Sequence, residues 1–115
     1  MRVRYVTTTF LALAIAGCAT VDVTKTAKGF YEPTRADDIE ILMTKPSGEY
    51  VELGTISTTD WDPSETAKMH NAMRSKTAPL GADAVIVTDS GILRAGTRNV
   101  LWTSGVAIRY KDKAR

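Results

Sequence analysis

The chain is poor in the residues that build dedicated chemistry. It holds one cysteine and one histidine in 115 residues, which excludes an internal disulfide framework and most His-based metal sites. No apolar run is long enough to cross a bilayer as a permanent helix. Neither sign of charge dominates: fifteen Lys and Arg face thirteen Asp and Glu, for a net charge of +2. What is there is ordinary for a folded chain, with 43% apolar and 24% charged residues. The length suits one domain.

The first segment reads MRVRYVTTTFLALAIAGC. Arg2 and Arg4 make a short positive start, residues 10–16 are unbroken apolar, and small residues follow. That order is the one an export signal requires. Ile15-Ala16-Gly17-Cys18 resembles the lipobox of bacterial lipoproteins, in which a branched apolar residue and two small ones precede the cysteine. The resemblance implies a signal peptide over residues 1–17, cleavage before Cys18, and acylation of the Cys18 thiol and amine. Several acyl chains, at about 0.8 kcal/mol per buried CH₂, anchor a protein far better than a single chain does. Ala19, where an inner-membrane lipoprotein commonly has Asp, resembles outer-membrane sorting with the domain facing the periplasm. Loss of Arg2 and Arg4 leaves thirteen charges of each sign in a mature chain of 98 residues. The basic pI of 8.8 thus belongs largely to the discarded segment, and with it goes the case for a nucleic-acid partner.

Residues 20–36 show no sustained period and are expected to form a tether, with Phe30 and Tyr31 packing at the domain edge. Alternation of Ile39, Ile41 and Met43 predicts a first strand, and residues 45–49 a turn. Residues 50–57 resume the two-residue period, which predicts a hairpin. Asp62 and Pro63 predict a helix start, and Pro79 with Gly81 its end, giving a helix over 63–78. Its expected inner stripe is Thr66, Met69, Met73 and Lys76 or Thr77, with Ala72 and Leu80. The continuous apolar run 84–87 predicts a central strand buried on both faces. Residues 89–99 read as a protruding connection in which Ile92 and Leu93 dip back to the core, and 100–110 as a last strand. The expected fold is α+β: a small two-layer domain over 37–110, with an antiparallel or mixed sheet of about four strands and one helix in the order β-β-α-β-β. Residues 111–115 are expected to be a solvated basic tail.

The blocks at 30–34, 39–42, 50–56 and 80–87 (FYEPT, IEIL, YVELGTI and LGADAVIV) resemble small bacterial lipoprotein domains. They are similar to the YbjQ-like, or heavy-metal-binding-domain, superfamily and more remotely to the outer-membrane Rcs stress-sensor lipoprotein. The Rcs sensor is stapled by disulfides, for which this chain has no cysteines, and the metal-binding label finds no ligand cluster in this sequence.

Nucleophilic and paired-carboxylate chemistry find little to work with. Ser64 lies nearly two helical turns from His70, and Asp60, Asp62 and Glu65 crowd a helix start where capping accounts for them. No catalytic, metal or cofactor site is predicted. Surface recognition falls to Trp61, Arg94, Arg98 and Trp102. The expected function is that of a lipid-anchored envelope accessory protein that binds or senses. Its expected partners are membrane lipid through acylated Cys18 and an envelope protein or peptidoglycan. The alternatives are a structural homo-oligomer and a weak hydrolase or metal-dependent enzyme using Asp60, Asp62, Glu65 and His70. Metabolic labelling with a palmitate analogue should mark the wild-type chain and leave Cys18→Ala unlabelled; equal labelling of both would sink the anchor.

Overall fold

The computed structural model describes residues 19–113. The expected signal peptide over 1–17 and the expected lipidation site Cys18 lie outside them. Five strands and one helix follow in sequence: β1 (Thr20–Lys25), β2 (Glu40–Leu42), β3 (Tyr50–Trp61), α1 (Thr66–Thr77), β4 (Ala84–Ala95) and β5 (Arg98–Tyr110). They form one mixed sheet in the order β1-β3-β5-β4-β2, covered on one face by α1. The α+β class and single helix expected from the sequence are present, with five strands in place of about four.

The added strand comes from the stretch read as a tether. Thr20–Lys25 pairs antiparallel with β3, Thr20 opposite Thr59 and Lys25 opposite Gly54. Val21 and Val23 turn inward from this edge and pack on the core, an alternation too short to stand out beside Thr20, Thr24 and Lys25. Tyr31 packs on the same core, whereas Phe30 stays 89% exposed beneath the Lys25 ammonium.

The expected hairpin between β2 and β3 does not form. β2 runs parallel to β4 at the opposite edge of the sheet, and β3 lies between β1 and β5. Length decides the choice: a 12-residue β3 gains a long ladder against the 13-residue β5, while β2, of three residues, offers little. Residues 89–99 also depart from expectation. β4 continues to Ala95 and meets Arg98 across a tight turn in which Gly96 has φ 66°. The alternation that would have marked this ribbon is missing because residues 92–99 all meet water and only Val100 is buried. β4 is interior, yet the middle of the sheet belongs to β5.

α1 follows its expected pattern closely. A 3₁₀ turn at Pro63–Glu65 leads into it, and the Asp62 carboxylate accepts from Ser64 N at 2.9 Å. Met69, Met73 and Thr77 form the buried stripe, with Ala72 and Leu80 half-buried. Thr66 and Lys76, also expected inside, are exposed; Thr66 sits on the first turn and donates to Pro63 O. Gly81, at φ 87°, ends the segment. The methionines enter a core of Ile39, Leu53, Ile56, Val85 and Ala107. A second, smaller cluster of Ala84, Ile86 and Ile108, flanked by Leu42, Tyr50, Val106 and Tyr110, occupies the other face at one end. The basic tail is tied back where it is described: Lys111 pairs with Glu49 and Lys113 with the buried Asp83.

Met73→Ala removes a side chain with no exposure at all and should cost about 2–5 kcal/mol. The exposed Ser75→Ala should stay within about 0.5 kcal/mol, and urea unfolding of the two variants measures the contrast.

Candidate functional site

The register of the sheet gathers the four nominated recognition residues at one end. β3 carries a bulge between Thr58 and Trp61, where Asp60 takes the left-handed φ of 65° that Asp tolerates better than most residues. The added residue turns Trp61 onto the helix face, where it packs on the core opposite Leu101 and donates from Nε1 to Thr20 O at 3.1 Å. Trp102, one position along β5, faces the other way and lies opposite Gly91. A Cβ at position 91 would stand 2.9 Å from the Trp102 Nε1, so the indole covers the space glycine leaves. Arg94 and Arg98 belong to the ribbon that β4 and β5 extend past this point. Arg94 donates to Gly96 O, and Arg98 lies close enough to Asp62 to help lower its carboxyl pKa, after the larger effect of the two hydrogen bonds from Ser64.

Ile92 and Leu93, expected to return to the core, are 58% and 56% exposed. They alternate across the two faces of the ribbon, where Val100, opposite Leu93, is the buried residue. The first paired residue of the domain, Thr20, is at this same end, two residues after Cys18. The four nominated residues and the start of β1 therefore share one end of the sheet.

The face of the sheet opposite α1 carries a feature that sequence reading missed. Asp22, Thr24, Thr55, Ser57, Thr88 and Ser104 line a shallow groove of about 310 Å³. Thr88 Oγ1 donates to Ser104 O at 3.1 Å, holding one wall. The signal was available in part: Thr55 and Ser57 alternate with buried Gly54, Ile56 and Thr58, as an outward row must. The contribution of β1, Asp22 and Thr24, was hidden by reading that stretch as a tether. The groove grades into the Tyr50, Val106 and Tyr110 surface at the far end of the sheet.

The residues weighed for catalysis are occupied otherwise. Asp62 accepts from both Ser64 N and Ser64 Oγ, and Glu65 pairs with Lys68 at 3.4 Å. Burial first and the Arg74 charge second hold the His70 imidazole below its ordinary 6.5, so it is neutral at pH 7. Among the described residues, no three His, Cys, Asp or Glu come together in a way that could hold a metal ion. Among the described residues, too, no helix is long and apolar enough to cross a membrane.

No protein-family model and no curated protein matches the sequence. In fold, the chain is similar to the crystal structure of the Francisella virulence factor FvfA. The TM-score is 0.56 at 10% identity, over 77% of this chain and 97% of that one. At that identity the likeness concerns the fold alone.

Gly91→Ala should drive the Trp102 indole off the sheet. In a Trp61→Phe background, tryptophan emission should shift to the red, with a stability loss of about 1 kcal/mol in urea. Unchanged emission would mean that the indole does not rest on position 91.

Proposed function

We propose that this protein is a lipid-anchored accessory protein of the bacterial envelope that binds a partner and performs no chemistry of its own. Acylated Cys18 would hold it to the outer membrane on the periplasmic side. The partner would be an envelope protein or peptidoglycan. The kinship with YbjQ-like and Rcs-sensor lipoproteins stands in the same proposal. The carrying observation is the open sheet face, where a hydroxyl-lined groove grades into a half-buried aromatic and aliphatic surface. Ser and Thr hydroxyls both donate and accept, and Asp22 adds a carboxylate, so the groove suits an extended polar ligand such as a glycan strand or a peptide. Asp62 and Glu65, weighed for catalysis, serve as a cap and an ion pair, which supports binding over turnover.

A second reading, self-association, is favoured by one observation. The outer edge of β1 has no strand partner among the described residues, and such an edge is open to pairing with another copy.

Photo-cross-linking groups placed in living cells at Thr55 and Ser57, both exposed on the open face, should give a discrete adduct. The same group at the exposed helix residue Asn71 should not. Equal adducts from both faces, or none from either, would overturn the proposed face. An adduct of twice the chain mass formed from Thr24 would select self-association.

A further inference from the structure

We infer that the β4–β5 hairpin is a second membrane contact, resting on the bilayer beside the lipid anchor. The inference rests on the anchor reading of Cys18, and deepens it by naming the protein surface that meets the lipid.

Position comes first. The ladder between β3 and β5 ends at Trp61 and Leu101, and β4–β5 pairing continues through Leu93–Val100, Arg94–Asn99 and Ala95–Arg98. At roughly 3.3 Å per residue, the ribbon projects about 10 Å past the rest of the sheet. Thr20 pairs with Thr59 at this end, and Cys18 precedes it by two residues, at most about 7 Å of chain. With β1 hydrogen-bonded from Thr20 and Trp61 holding the Thr20 carbonyl, no slack separates anchor from domain. A lipid on Cys18 therefore brings the hairpin to headgroup level. Ile92 lies level with Leu101 at the base of the ribbon and Leu93 one residue beyond, so the apolar pair enters at the shallow end of the roughly 5–10 Å to which interfacial segments bury their apolar side.

Composition comes second. Ile92 and Leu93 are two of the four large apolar side chains most exposed among the described residues, and they are adjacent. Residues 91–100, GILRAGTRNV, hold two arginines and no carboxylate. Arg98 lies in the field of Asp62, while Arg94 is exposed and makes only a local bond to Gly96 O among the contacts described. Long basic stems reach phosphates from beside a buried apolar side chain. Trp61 and Trp102 stand at the base of the ribbon on opposite faces of the sheet, at the level where indoles favour the membrane interface. A lipid surface fits this combination: Ile92 and Leu93 turn to opposite faces of the ribbon, so a ribbon entering tip-first sets both, with Arg94, in one bilayer boundary.

The test uses the full chain, matured and purified with its lipid, in vesicles of phosphatidylethanolamine and phosphatidylglycerol. With Cys18 acylated, Leu93→Cys supplies the sole free thiol for an environment-sensitive dye. Ser47→Cys, exposed in the loop before β3 at the opposite end of the sheet, is the reference. Dye at 93 should be quenched about threefold less by aqueous iodide than dye at 47, and more by bromine-labelled lipid. Adding Ile92→Glu should return the dye at 93 toward the reference while circular dichroism stays unchanged. Equal iodide quenching at both positions, on protein whose mass shows acylated Cys18, would overturn the hairpin contact and leave the anchor standing. A mass without acyl groups would overturn both.

Discussion

The hydrogen-bond ladders on the two edges of β5 hold the domain together. On one side β5 binds β3 through nearly all of β3's length, and on the other it binds β4 from Ala84 to Ala95. Without it the sheet divides into a β1–β3 pair and a β2–β4 pair with no ladder between them. Buried backbone groups left without partners cost as much as lost hydrogen bonds, so neither pair stands well alone. The helix depends on the same strand. On the helix face β5 contributes Thr103, Gly105 and Ala107, small side chains over which Met69 and Met73 reach Leu53, Ile56 and Val85.

Irregularities in the flanking strands give the sheet its two different ends. β5 itself keeps an unbroken alternation, while β3 takes bulges after Glu52 and Thr58 and β4 takes one after Val87. At one end the bulge near Asp60 puts a tryptophan on each face. At the other, Tyr50 and Tyr110 stand opposite each other, Asp83 accepts from Tyr110 N at 2.9 Å, and the basic tail closes over the corner. The open face therefore runs from an aromatic, packed end, through a band of hydroxyls, to an end with exposed aliphatic side chains and arginines.

Sequence patterning was legible wherever one face is buried and the other wet. The helix bounds, its Met69, Met73 and Thr77 stripe and the glycine stop followed from capping and period alone. The strand at 84–87 was legible from its apolar run. Pairing was not legible, because a two-residue period says which side chains turn inward but not which strand lies alongside. The hairpin expected between β2 and β3 failed on that point. β1 and the distal ribbon were hidden for another reason: an edge strand and a two-stranded arm are wet on most sides, so their composition resembles that of loops. Four recognition residues could be named from type alone, but their convergence on one end required the register. The groove, assembled from four strands, had no local signature.

The strand that joins both halves of the sheet is also the last of the five in sequence. β1 must wait for β3, and both halves must wait for residues 98–110, so most pairings span long stretches of sequence and form late. A growing chain that still lacks its C-terminal segment has no complete sheet to close. The sheet therefore closes in one late step, when residues 98–110 supply both missing ladders at once.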